Sequence, residues 1–175
     1  DEIHFYNIDR EEIRKEMVEI KWDAESAEKG GYEHFMLKEI HEQPKAVQDM
    51  IGAYVKDGAV DFSEVGLSDE DMKNLERIYI VACGSAYHVG MAGKYVLEEL
   101  ARIPVEVDLA SEFRYRNPII VPNSLVIIVS QSGETADSLA ALRLVKEHGV
   151  PVMGIVNVVG SSIARESDYI LYTYA

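Results

Sequence analysis

A chain of 175 residues is long enough for one domain with a real core and short for two. Hydrophobic residues at 47% place it among globular proteins, and a formal net charge of -14 argues against any general attraction to nucleic acid or an anionic membrane. Cys83 is the single cysteine, so an intrachain disulfide is excluded and a reducing, cytoplasmic setting is the simpler reading; no apolar stretch approaches the ~18 residues of a membrane span.

Residues 1–31 are mostly charged and end at the Gly-Gly break in EKGGYEHF, so they read as an interdomain linker ahead of a domain over 32–175. The acidic start DEIHFYNIDREE is unlike a secretory signal. Because the sequence opens without methionine and stops on DYILYTYA, it reads as a piece of a longer chain. From about Phe35 to Val55, Met36, Leu37, Ile40, Val47, Met50, Ile51 and Tyr54 recur at three- and four-residue spacing, which predicts a helix with one apolar face. Pro44 inside it predicts a kink or a break. Ser68 followed by Asp69, Glu70 and Asp71 reads as an N-cap with an acidic first turn.

The pattern then changes. RIYIVACG predicts a strand ending at Gly84, AYHVGMAGKYVLEELARI a helix, and PVEVDLA a strand whose leading proline needs no N–H. SLVIIVS is the third strand, Glu134 to His148 the next helix, PVMGIVN the fourth strand, GSSIARE the start of a short helix and YILYTY the last strand. Nearly unbroken apolar strands alternating with helices predict an α/β fold, a doubly wound parallel sheet of about five strands with helices on both faces.

In such a sheet ligands bind outside the carboxyl ends of the strands, and two of those ends carry chemistry. One is Cys83, Gly84 and Ser85, leading into a helix. The other is SQSGETADS: Ser130, Ser132 and Thr135 offer hydroxyls, Gln131 an amide, and Gly133 a close backbone approach. With the free N–H groups and partial positive charge of the following helix, these residues suit a phosphate without any lysine or arginine. Ordinary helix capping would use the same residue types. Glu134 and Asp137 suit the helix dipole but would repel a phosphate, so both are expected to turn away from it.

Other motifs fail. Gly84, Gly90 and Gly93 do not form G-x-G-x-x-G, although Asp108 lies near the position of a ribose carboxylate, and GKY at Gly93 is not a P-loop. HEQPK from His41 lacks the second histidine of a zinc helix, and no metal site is legible among scattered histidines. Cys83 at a strand end reads as a small buried side chain rather than a nucleophile, His88 reads as packed or solvated, and Arg114 and Arg116 read as surface ion pairs.

At this point the residues resemble a known family. VACGSAYHVGMAGKYVLEELARIPVEVDLASEFRYRNP, SQSGETADSLAALR, NVVGSSIARESDYILYTYA and WDAESAEKGGYEHFMLKEIHEQP are similar to the sugar isomerase (SIS) domain of the glutamine–fructose-6-phosphate aminotransferases and to the link that precedes it. The resemblance implies the first half of that isomerase region. It implies a site for a sugar phosphate, fructose 6-phosphate or glucosamine 6-phosphate, with Ser130, Gln131, Ser132 and Thr135 on the phosphate and Cys83, Gly84 and Ser85 along the sugar. Where many members read Cys-Gly-Thr-Ser, this chain reads Cys-Gly-Ser-Ala: Ser85 keeps a hydroxyl and Ala86 loses one.

The family reaction transfers glutamine-derived ammonia to fructose 6-phosphate and isomerises the product to glucosamine 6-phosphate. By the resemblance, the glutaminase domain and the family's Schiff-base lysine, isomerising glutamate and ring-opening histidine all match positions outside this chain. No general acid, base, nucleophile, metal or cofactor is therefore assigned here, the chain is expected to be inactive alone, and the parent enzyme is expected to be a homodimer. Two other functions fit the fold: a non-catalytic SIS-domain sensor of sugar phosphates, against which the WDAESAEKGGYEHFMLKEI linker speaks, and a flavodoxin-like domain whose hydroxyl-rich turn is only a cap.

Overall fold

The structure, a computed structural model, describes residues 3–14 and 28–175, and the chain divides into two compact units, Asp1–Glu42 and Gln43–Ala175. In the first unit β1 (Phe5–Tyr6) and β2 (Glu12–Ile13) form a small antiparallel hairpin. Its turn is tied by Asn7, whose side-chain oxygen accepts the Glu11 N–H at 2.8 Å. Residues 15–27, part of the tract that reads as linker, lie outside the described residues.

Helix α1 (Phe35–Tyr54) is not broken at Pro44, which sits inside it. A proline removes one helical hydrogen bond, and the neighbouring turns suffice to carry the helix past it. The face that the spacing predicts does not become core: Met36, Ile40, Val47 and Ile51 are exposed by 72%, 52%, 52% and 50%. Hydrophobic period predicts a helix and its face, but it does not supply a partner for that face.

In the second unit β3 (Val55–Lys56) and β4 (Ala59–Val60) pair antiparallel around Asp57 and Gly58, both at positive φ, as a two-residue Asp-Gly turn requires. Ser68 caps α2 (Asp69–Lys73) as expected, accepting the Asp71 N–H at 3.1 Å while the Asp71 carboxylate accepts the Ser68 N–H at 3.1 Å.

The main sheet has five parallel strands, β5 (Arg77–Ala82), β6 (Val105–Leu109), β7 (Ser124–Ser130), β8 (Val152–Val156) and β9 (Tyr169–Tyr172), in the order β6-β5-β7-β8-β9. The helices between them are α3 (Gly84–Ala101), α4 (Ala110–Tyr115), α5 (Ala136–Glu147) and α6 (Ser162–Glu166). This is the doubly wound α/β architecture that the strand and helix alternation predicts. Helix α4 is the addition: six residues are too short to show a helical period, and only Ala110 and Phe113 of it are buried.

Side chains alternate between the faces of the sheet, which splits the core in two. Tyr79, Val81, Val126, Ile128 and Val152 meet Phe113 of α4, Leu142 and Val145 of α5 and Ile163 of α6. Ile78, Ile80, Val105, Leu125, Ile127 and Met153 face the other way, with Leu97 of α3 and Val65, Leu67 and Leu75 against them. Helix α3 comes close to the sheet because Gly90 leaves room: a Cβ there would stand 2.8 Å from Ile80 Cγ2 and 3.2 Å from Val107 Cγ1. The Tyr54 hydroxyl donates to the Tyr172 carbonyl at 3.1 Å and accepts the Tyr172 N–H at 2.7 Å, so it satisfies backbone groups of β9 at the edge of the sheet. No helix among the described residues is long and apolar enough to cross a membrane.

Candidate functional site

Strands β5 and β7 are neighbours, yet the chain leaves them in opposite directions: β5 returns through α3 to β6 on one side, β7 through α5 to β8 on the other. That reversal is a topological switch point, the place at which sheets of this kind bind ligands, beyond the carboxyl ends of the strands. In register, Ala82 stands opposite Val129, so Cys83–Gly84–Ser85 and Ser130–Thr135 emerge side by side at this point. The two candidate segments, separated by over forty residues of chain, share one strand-end rim. Ser138 of α5 links them further, its hydroxyl donating to Cys83 Sγ at 3.8 Å.

Within the second segment the hydroxyls organise the turn. Ser130 Oγ and Thr135 Oγ1 are hydrogen-bonded at 3.1 Å, the Gly133 N–H donates to Ser130 Oγ at 3.1 Å, and the Glu134 N–H donates to Ser132 Oγ at 3.2 Å. Thr135 occupies the N-cap position of α5 but makes no side-chain cap hydrogen bond. The first N–H groups of a helix have no intrahelical acceptor, so α5 keeps donor capacity at the turn. Gln131 and Ser132 are exposed, Ser130 is buried and Thr135 is half-buried, which forms a polar turn with a fixed base and an accessible rim. Gly133 has φ +66°, a region costly for side-chain-bearing residues.

The electrostatics of the rim follow from where its charged side chains point. Asp137 pairs with Arg114 at 2.8 Å, and Glu134 accepts the Ser162 N–H at 2.7 Å, so both carboxylates are engaged by partners other than the hydroxyls of the turn. The Ser162 N–H, the largest cause, holds the Glu134 carboxyl below its usual range. Arg116 is likewise an ion pair, with Asp108 at 2.6 Å and Glu106 at 2.8 Å, so Asp108 faces a guanidinium. The turn therefore offers neutral hydrogen-bonding groups, with its neighbouring charges paired elsewhere.

Cys83 is the half-buried N-cap of α3, without a side-chain cap bond, and Gly84 and Ser85 are exposed at its start. His88 lies on α3 with its ring edge-on to Tyr87 at 5.4 Å between centroids. Among the described residues no group of three or more His, Cys, Asp or Glu could hold a metal ion.

Three residues of the site were not legible as such. Asn157, just after β8, donates its N–H to the Gln131 carbonyl at 3.0 Å, while its side-chain oxygen accepts the Thr173 hydroxyl at 3.1 Å and the Ala175 N–H at 2.7 Å. Ser138 and Ser161 are buried beneath the turn. The Asn-x-x-Gly-Ser run after a strand was the signal for Asn157 and Ser161, and it reads equally as an ordinary helix start.

Comparison with known proteins completes the assignment. The family model described as "SIS domain" matches residues 71–175. The glutamine–fructose-6-phosphate aminotransferase [isomerizing] of Clostridium acetobutylicum is 58% identical over 174 residues, 99% of this chain and 29% of the relative. That of Caldanaerobacter subterraneus is 54% identical over 176 residues, again 29% of the relative. Among solved structures, the C-terminal domain of the glucosamine-fructose-6-phosphate aminotransferase from Francisella tularensis aligns with a TM-score of 0.78 and 46% identity, over 83% of this chain and 41% of that one. The chain thus spans about 29% of the length of the curated relatives it matches. On these grounds the chain belongs to the SIS domain family and is a relative of the isomerizing glutamine–fructose-6-phosphate aminotransferases.

Proposed function

We propose that this chain is the sugar-phosphate-binding lobe of a cytoplasmic glutamine–fructose-6-phosphate aminotransferase, an enzyme that makes glucosamine 6-phosphate and glutamate from fructose 6-phosphate and glutamine. The reading rests on one observation above the others. Thr135 stands at the N-cap of α5 and does not spend its hydroxyl on the cap, but shares it with Ser130 beside the strand switch point. A turn that served only to cap α5 would direct that hydroxyl to the helix amides.

In this role the phosphate takes hydrogen bonds from Ser130, Ser132 and Thr135, from the Gln131 amide and from the first N–H groups of α5. The phosphate charge strengthens each bond, which contributes about 1.5–3 kcal/mol where a neutral pair contributes roughly half that. Directed bonds of this kind select a phosphate even in a chain of net charge -14. Gly133 gives the backbone its close approach, and Cys83, Gly84 and Ser85 lie along the sugar. These groups orient a substrate, but none of them is set to move its protons, so the chain alone makes no glucosamine 6-phosphate.

Calorimetric titration with fructose 6-phosphate, with fructose and inorganic phosphate as controls, tests the proposal. Binding of the phosphosugar well above both controls is expected. A folded sample that takes up fructose 6-phosphate no better than fructose would overturn it.

A further inference from the structure

The sequence places a carboxylate, Glu134, inside the turn that should hold an anion. Its position explains why it is tolerated. Glu134 Oε1 accepts the N–H of Ser162 at 2.7 Å, and the Gly133 carbonyl accepts the N–H of Ile163 at 3.0 Å. The first donors of α6 are therefore capped by two consecutive residues of the turn, from a position 28 residues earlier in the chain. Ser161, the nominal N-cap of α6, makes no side-chain cap bond, and its buried hydroxyl has no partner among the described residues. It lies instead against Gly133, where an added Cβ would come within 2.0 Å of its oxygen. Arg165 adds no competing claim on the carboxylate through hydrogen bonds, since its guanidinium bonds the Gly160 carbonyl and the Ser162 hydroxyl.

We propose that Glu134 is a positioning residue for the phosphate turn: by capping α6 in place of Ser161, its carboxylate clamps residues 130–135 in their ligand-ready shape and is itself aimed away from the ligand. The clamp has a second anchor in the Asn157 N–H to Gln131 carbonyl bond, so the turn is fixed to the end of β8 on one side and to α6 on the other. This inference builds on the sugar-phosphate reading above and adds a residue that does not touch the substrate.

Two measurements on the same chain test it: fructose 6-phosphate titration, and amide hydrogen exchange at Ser162 and Ile163. Exchange at Val126 and Ile128 in the central strand serves as the fold control. The clamp predicts that Glu134→Ala weakens binding by about fivefold, the size of a lost cap, and speeds exchange of the Ser162 amide. Glu134→Gln restores both, because its amide oxygen accepts the same hydrogen bond. Charge repulsion alone predicts the reverse sign, tighter binding in both variants. Equal or tighter binding by Glu134→Ala, failure of Glu134→Gln to rescue, or an unchanged Ser162 amide in Glu134→Ala would each overturn the clamp. Should the unaltered chain bind no phosphosugar, the function proposed above falls, while the exchange arm still decides whether Glu134 holds the turn.

Discussion

Ser130 and Thr135 face each other across the turn, Oγ to Oγ1 at 3.1 Å, while the helix that Thr135 caps by position receives nothing from its hydroxyl. The pair spans the mouth of the turn, and the residues between them are tied back to it, Gly133 through its N–H to Ser130 Oγ. In the proposed function, a ligand oxygen arriving there would meet hydroxyl groups that can rotate toward it without loss of helix stability.

Ser132→Ala and Thr135→Ala are each expected to weaken fructose 6-phosphate binding by about 1.5–3 kcal/mol, the range for a hydrogen bond to a charged group. Thr135→Ser keeps the hydroxyl and should bind nearly as the unaltered chain does. Calorimetry on variants with unaltered circular dichroism checks this, and unchanged affinity in both alanine variants would remove these hydroxyls from the site.

Gly133 and Ser161 are expected to behave as a coupled pair. Gly133→Ala forces a methyl within 2.0 Å of Ser161 Oγ and 2.5 Å of its Cβ at φ +66°, and should cost about 2–4 kcal/mol of stability through strain and overpacking. Ser161→Ala removes a buried hydroxyl that has no partner among the described residues and should stabilise the fold by about 1 kcal/mol. Urea unfolding of both variants provides the comparison; a destabilising Ser161→Ala would show that the hydroxyl has a partner in solution.

Gly90→Ala, a change that favours an exposed helix by roughly 1 kcal/mol, is expected to destabilise here by about 1–3 kcal/mol. Ile80 Cγ2 and Val107 Cγ1 would stand at 2.8 Å and 3.2 Å from the new carbon, which pushes α3 off the sheet beside Cys83–Ser85. Thermal unfolding gives the sign directly, and a raised Tm would mean that the helix shifts at no cost.

Acid should destabilise the fold through its bonded carboxylates. Arg143 bonds Glu166 at 2.8 Å and 2.7 Å and, as the largest cause, holds the Glu166 carboxyl below its usual value; Ser68 does the same for Asp71 and Ser63 for Asp61. A carboxyl whose folded-state pKa is depressed contributes stability that is complete above its unfolded value, about 4 for these groups, and is lost as the pH falls toward the folded value. Stability should therefore be flat near neutral pH and decline below about pH 5, with a shallower decline in Glu166→Gln. Solvent and salt screen these exposed pairs, so the decline is modest for each. Urea midpoints from pH 3 to 7 in both proteins would test this, and parallel curves would exclude Glu166 as a contributor.

Most of the α/β alternation could be read from period alone. Ile78–Ala82 and Leu125–Val129 are apolar on both faces, which is what a strand covered on both sides requires, and Ser68 with Asp71 signals its own capping box. Helix α4 was invisible because six residues show no period and its N-cap, Leu109, is not a capping residue; the stripe of α1 announced the helix and its apolar face but not a partner, because period is blind to partners.

The same division runs through the site. Residue types at Ser130–Thr135 and at Cys83–Ser85 announced two polar strand ends, because hydroxyls and glycines at the entrance to a helix are a local chemical pattern. That these ends are neighbours was decided by strand order, since β7 pairs with β5 only because the α3 crossover carries β6 to the other side. The direction of Glu134 and Asp137 was decided the same way, by Ser162 and Arg114 arriving from remote parts of the chain. By itself the sequence determined which residues offer hydrogen bonds and which segments bury their apolar faces, properties carried by each side chain and its immediate spacing. Only the tertiary structure decided which of those groups share a rim and which carboxylates are turned aside, because both depend on contacts between segments that no local pattern encodes.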